Sequence, residues 1–321
     1  MREVVFVQKN QSKWTQFEKD LSGNNADKLA DTFVELTDDL AYARTFYPSS
    51  NTESYLNQLA GKYYLSLYKN KKQPGNRFIT FWKKELPLMF WSVRKQLLYS
   101  FAVFAVAMLI GAFSSAHDED FVRLILGDDY VNTTLESIAK NDPMAVYKQS
   151  DGSSMFVYIT ANNIKVSFMA FIAGIFLSVG TIAVLFFNGV MLGAFQYFFF
   201  RHDVLVQSLL TIWIHGTLEI SAIVIAGCAG LVMGNSILFP GTYSRAESFS
   251  RGVRKGLKIV IGLIPVFITA GFLESFVTRH TEMPVWLSLT IIGGSASFIV
   301  FYFILYPFRL NRIKNGQRNQ S

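Results

Sequence analysis

The sequence predicts an all-α, polytopic helical membrane protein with about six transmembrane helices and an N-terminal cytoplasmic helical region. Three observations carry this expectation. Charged residues make up only 17% of the 321 residues, whereas a soluble domain carries about 25%. Hydrophobic residues reach 51%, with 30 Phe and 9 Met, and the mean hydropathy is +0.28 although the first 95 residues are polar. The apolar excess is gathered into runs long enough to cross a bilayer core of about 30 Å, which takes about 20 residues of helix.

The N-terminal stretch MREVVFVQKN lacks the apolar core of a secretory signal peptide, so the polar region behind it is expected not to be exported by a cleaved signal. Residues 1–76 read as a cytoplasmic helical region. Trp14, Phe17 and Leu21 recur at helical spacing, and Gly23 ends that piece. Asn25 can cap a longer helix with Leu29, Phe33, Leu36, Leu40 and Ala43 on one face, closed by Pro48. Ser50 with Glu53 three residues on is a capping-box pattern, opening a helix through Tyr55, Leu59, Tyr63 and Leu67.

Residues 77–95 alternate Phe78, Phe81, Trp82, Phe90 and Trp91 with Lys83, Lys84, Arg94 and Lys95. This pattern suits an interfacial helix on the inner leaflet, with Trp82, Lys83, Lys84, Trp91, Arg94 and Lys95 as anchors to membrane lipid. The pI of 9.3 has the same source. It points to anionic lipid and not to nucleic acid, because the basic residues form no nucleic-acid-binding module.

The transmembrane domain is expected over 96–308. The runs are Gln96–Phe113, Ile164–Phe187, Gly189–Phe200, Leu205–Met233, Leu257–Val277 and Val285–Phe308. The third is short, and Asn188-Gly189 before it reads as a turn, which makes it a short or broken crossing. Charge sets direction. Residues 1–95 hold 15 Lys and Arg against 10 Asp and Glu, and 238–258 hold Arg245, Arg251, Arg254, Lys255 and Lys258 against Glu247. The tail 309–321 is basic without an acid, whereas 114–163 hold eight acids against three basic residues. Both termini are therefore expected on the cytoplasmic side, with 114–163 as an external loop. That loop reads as two short helices broken at Gly127-Asp128-Asp129 and Asn141-Asp142-Pro143.

Four polar residues at membrane depth form a candidate intramembrane site: Asn163, His215, Glu219 and Glu274. His215 and Glu219 share one helix face at i and i+4. Ionisable groups at this depth are costly and normally face the bundle interior or a water path. A His–Glu hydrogen bond that merely holds helices together accounts for them equally well. The spacing HxxxE excludes the zinc-protease motif HExxH. No Walker A, GxSxG, Rossmann fingerprint or clustered His/Cys set is present. The lone Cys228 excludes an intrachain disulfide or a CxxC site. The reading is non-enzymatic, with no cofactor and no metal. Ala226-Gly227 with Gly230 reads as small-residue helix packing within the chain; homodimerisation stays open.

The stretch Asn162–Ala194, then HGTLE at 215–219, AGCAGL at 226–231 and IPVFITAGFLESFVT at 264–278, resembles the stage II sporulation protein M family. The resemblance is strongest over about 165–280, and Cys228 stands where a small residue is expected. It implies an integral membrane protein without catalysis. Sporulation members act as scaffolds beside peptidoglycan hydrolases. Longer relatives lie near genes for AAA+ ATPases, von Willebrand-type proteins and RDD membrane proteins. The implied role is a scaffold in a cell-envelope complex with envelope or membrane protein partners. The alternative from the residues is a transporter or channel-like protein using the His/Glu site.

Overall fold

A computed structural model describes residues 1–21, 26–68, 77–145 and 152–318, which fall into two compact units, Met1–Gly75 and Asn76–Ser321. Among the described residues the secondary structure is helical, without strands.

The first unit is built from α1 (Glu3–Asp20), α2 (Ala26–Phe46) and α3 (Asn51–Tyr68). Phe6, Trp14 and Phe17 of α1 meet Leu36, Leu40 and Ala43 of α2 and Leu56, Leu59 and Tyr63 of α3. The first helix starts earlier than the expected Ser12, because Phe6 extends the apolar stripe by two turns from Trp14. Trp14 Nε1–H donates to Asp39 at 2.8 Å, and the Tyr63 hydroxyl donates to the Phe17 carbonyl at 2.7 Å, so the buried polar tips have partners. Pro48 ends α2 and Ser49 turns the chain at φ 63°. Ser50 Oγ accepts from the Glu53 N–H at 3.1 Å, and the Glu53 carboxylate accepts from the Ser49 N–H at 2.7 Å. The expected capping box therefore forms, with its return bond one residue earlier. Gly23 and Asn25 lie outside the described residues.

The second unit opens with α4 (Arg77–Thr80), a π-turn (Phe81–Glu85) and α5 (Leu86–Ser92). Then come α6 (Arg94–His117), α7 (Glu119–Leu126), α8 (Asp128–Ala139), α9 (Gly152–Ile172), α10 (Val179–Arg201) and α11 (Leu205–Leu238). The chain closes with α12 (Arg245–Phe272) and a π-turn (Leu273–Val277), then α13 (Val285–Val300), a third π-turn (Phe301–Leu305) and α14 (Tyr306–Arg318). Among the described residues, six helical segments are long and apolar enough to span a membrane, at 94–117, 152–175, 179–201, 205–238, 245–277 and 285–316.

Helix α11 is the axis. It packs against α6, α9, α10, α12 and α13. Its apolar window is 72% buried inside the protein, against 11% for the last span, whose sides are left to lipid. Small residues permit the close approach. A Cβ on Gly230 would strike Thr181 and the Ala170 carbonyl, and one on Gly174 would strike the Gly230 backbone. Gly227 faces Ser100 and Leu185. Along α6 and α10, Gly189 meets Phe104 and Ala107, Gly193 meets Met108 and Ala112, and Gly111 meets Val190. The contacts advance together, so these two helices run parallel, with α9 returning between them. The expected small-residue packing is thus intramolecular.

Two expectations are corrected, and one element is longer than its apolar run. The turn before the third crossing lies at Phe176-Leu177-Ser178, not at Asn188-Gly189. Leu177 and Ser178 take left-handed φ of 52° and 71°, and the Ser178 N–H donates to the Gly174 carbonyl at 3.1 Å. Asn188 instead stays helical, with Nδ2 donating to the Val184 carbonyl at 2.8 Å. The crossing is a continuous helix of 23 residues, about 35 Å at 1.5 Å per residue. Next, the loop 114–163 is shorter than expected. Helix α6 runs on to His117 and α9 already begins at Gly152, because MFVYIT at 155–160 continues the apolar run. The two short helices do form, broken at Gly127 with φ 85°. Finally, the basic stretch 238–258 is mostly helix. Ser244 Oγ accepts from the Glu247 N–H at 3.3 Å and starts α12, so Arg245 to Lys258 occupy its first turns.

Gly193→Val is expected to cost about 1–3 kcal/mol by forcing α6 and α10 apart. Gly294→Val has open space around it and should leave the unfolding temperature in detergent nearly unchanged. Equal effects of the two substitutions would refute the packing argument.

Candidate functional site

Asn163, His215, Glu219 and Glu274 come together from α9, α11 and the π-turn after α12. One ligand-type atom from each of His215, Glu219 and Glu274 lies within 4.8 Å of the others. His215 is only 4% exposed. Its Nδ1 lies 3.0 Å from Thr278 Oγ1 and its Nε2 3.8 Å from Glu274 Oε2. Asn163, 4% exposed, faces Glu219, yet its Nδ2 makes no hydrogen bond of normal geometry. Ser275 Oγ, next to Glu274 in the chain, is likewise buried without a partner.

Local structure explains the convergence. His215 and Glu219 sit one turn apart on α11 and share a face. The π-turn Leu273–Val277 closes with the Thr278 N–H donating to the Leu273 carbonyl at 2.8 Å. That extra residue places both Glu274 and Thr278 toward α11, and such turns recur at functional sites. Asn163 lies within α9 rather than at its start, so it enters the bundle from the side. Among the described residues, neither carboxylate has a Lys or Arg within ion-pair distance. The group can therefore hold a proton between carboxylates, polarise a bound water, or ligate a cation.

Thr278 was not picked out from the sequence. Its signal was its position four residues after Glu274, within the stretch that carried the family resemblance. A groove of about 390 Å³ opens beside the cluster, lined by Gln207, Thr211, Ile214, His280 and Ser288 among others. The polar group itself lies outside this lining. Thr211 is one turn before His215 on the same face of α11.

The basic-aromatic segment packs one side into the helical bundle and leaves its basic residues exposed. Leu86 and Phe90 are buried in the main core, and Phe90 meets Phe303 edge-on at 4.9 Å between ring centroids. The Trp82 and Lys83 carbonyls accept from the Tyr302 and Tyr306 hydroxyls at 2.7 and 3.0 Å. Glu85 pairs with Lys258 at 3.1 Å. Lys83, Lys84, Arg94 and Lys95 are exposed, while Trp82 and Trp91 are half-buried. The Arg94 guanidinium lies 4.3 Å from the centroid of Trp91.

At the other end of the bundle, α7 and α8 fold onto the ends of α10 and α11. Val122, Val131 and Met144 cluster with Phe198, Phe199 and Ile212, and Arg201 pairs with Glu119.

These features define a multi-pass, all-α membrane protein with a buried polar cluster between its central spans. Residues 100–279 match stage II sporulation protein M, more than half of the chain, and the protein belongs to that family. Residues 4–69 match a domain of unknown function, DUF8413. No curated protein and no solved structure matches the chain.

Removing both tyrosine hydroxyls (Tyr302→Phe with Tyr306→Phe) is expected to cost about 0.5–1.5 kcal/mol per hydrogen bond. Amide exchange should rise over 77–92 and stay unchanged in α10. Unchanged exchange over 77–92 would show that these bonds do not hold the segment.

Proposed function

We propose that the protein is a non-enzymatic scaffold of a bacterial cell-envelope complex, resident in the inner membrane with both termini cytoplasmic. The observation that carries this reading is the first unit. It has its own core, yet it leaves Val4, Val34, Phe46 and Leu65 more than half exposed. Exposed large apolar side chains on a polar helical unit suit a docking surface for other proteins. The helices α7 and α8 supply a second surface on the opposite side under the charge-derived orientation. The family name links the reading to sporulation proteins, and a link to peptidoglycan remodelling belongs to the same proposal.

A second reading, movement of a solute, lipid or ion, is favoured by the burial of Glu219 and Glu274 together with His215. It requires Glu219→Gln to leave a folded protein that no longer moves its cargo in liposomes.

The scaffold reading predicts that mild crosslinking in native membranes retains stoichiometric envelope or ATPase partners. Deleting residues 2–68 or 119–145 should each remove a distinct set of them while the membrane domain remains folded. Capture unaffected by either deletion would sink the scaffold. Cysteines introduced at Ser137 and Ser250 should be labelled from opposite sides of the membrane by an impermeant maleimide, Ser137 from outside. The reverse pattern would invert the orientation.

A further inference from the structure

We propose that His215, Glu219 and Glu274 bind one divalent first-row transition-metal cation, of the zinc or manganese class, between α11 and α12. The donor set is one imidazole nitrogen and two carboxylate oxygens, all within 4.8 Å of one another. A tetrahedral ion with bonds of about 2.0–2.2 Å holds its ligands about 3.4 Å apart. His215 Nε2 and Glu274 Oε2 are already 3.8 Å apart. The remaining approach, from at most 4.8 Å, is on the scale of side-chain motion.

The imidazole is oriented for this role. A metal-ligating histidine normally donates its other ring N–H to an oxygen, which fixes the tautomer. His215 Nδ1 sits 3.0 Å from Thr278 Oγ1. With the proton on Nδ1, Nε2 is the acceptor nitrogen and lies on the Glu274 side of the ring. Charge agrees. Two carboxylates are brought together inside the membrane domain, and among the described residues no Lys or Arg offsets them. A divalent cation would offset both at once.

A second, independent observation points to a ligand. Asn163 is 4% exposed and faces Glu219, and its amide nitrogen makes no hydrogen bond of normal geometry there. An amide so placed is satisfied by a water or anion held on the ion, or by turning its oxygen to the metal. Three protein ligands leave a fourth position open, as in metal sites that bind water or substrate. The groove lined by Thr211 and Ile214 lies beside His215, although the polar group is not part of its lining. Oxygen and nitrogen donors without thiolate suit zinc, manganese or iron over copper(I). Cys228 lies nine residues beyond Glu219 along α11, with its sulfur toward the Val93 carbonyl.

The test uses the full chain in nanodiscs, purified on a histidine-free tag, stripped with chelator and reloaded with zinc or cobalt(II). The wild type should retain about one ion per chain after desalting. Cobalt should give the visible absorption of a four- or five-coordinate site. Glu219→Gln with Glu274→Gln should abolish retention. Thr278→Val should weaken affinity about 10–100-fold at unchanged stoichiometry. His117→Ala, on the exposed end of α6, should change nothing. X-ray absorption of the zinc-loaded wild type should show one imidazole among oxygen ligands at about 2.0–2.2 Å. This measurement needs no variant to fold. No retained ion in the wild type, retention unchanged in the double glutamine variant, or a shell of sulfur or several imidazoles would each overturn the proposal.

Discussion

The structure depends on how closely helix backbones approach α11. Inside a bilayer, moving an apolar side chain from lipid to a neighbouring helix gains little, so spans associate through tight packing and a few hydrogen bonds. Gly227, Gly230 and Gly234 put Ser100, Thr181 and Ser178 against the α11 backbone. The Ser100 hydroxyl donates to the Val224 carbonyl, and the Thr181 hydroxyl to Ala170 at 2.8 Å. A side chain at Gly230 or Gly234 would run into backbone, the Ala170 carbonyl at the first and the Ser178 N–H and Gly174 carbonyl at the second.

The polar cluster inherits its geometry from that packing. The chain just past α9 lies against Gly230 at Gly174, and Asn163, farther back on α9, faces Glu219. Gly256 lets α12 lie against Ala229 and Phe171, which carries Glu274 and Thr278 to the level of His215. Helix α11 therefore has two regions with separate duties. The HGTLE segment presents polar groups, and the AGCAGL segment that follows is a packing surface. Packing through the second segment positions the first.

Much of this was legible in the sequence, for reasons specific to each element. The six spans follow from apolar length, and the small-residue stripe from its spacing. The Ser50–Glu53 cap follows from a local hydrogen-bonding rule. The turn between the second and third crossings was misplaced because Asn-Gly is a strong local signal. Leu177 and Ser178 adopt their left-handed conformations through the packing of α9 and α10 on α11, which no short window of sequence encodes. The start of α9 was missed because polar Ser153, Ser154 and Asn162 interrupt its hydropathy. The four intramembrane polar residues were individually visible as costly groups. Their convergence was not, because it depends on an extra residue in the π-turn after Phe272. The basic-aromatic segment was legible as amphipathic, but its apolar side is covered by the π-turn at 301–305 and α14 as well as by the main core.

The length of α11 has a consequence for where the protein can reside. Its 34 residues make a rod of about 51 Å, against an apolar layer of about 30 Å. A span that outruns its bilayer accommodates by leaning. Because α11 is joined to α10 and α12 by short connections at 202–204 and 239–244, it cannot lean alone. The bundle would have to respond to hydrophobic mismatch as a body, so the thickness of the surrounding lipid becomes a mechanical input to the angle between its central rods. A thinner or thicker membrane would act on this protein as a load, distributed through the same glycine contacts that hold it together.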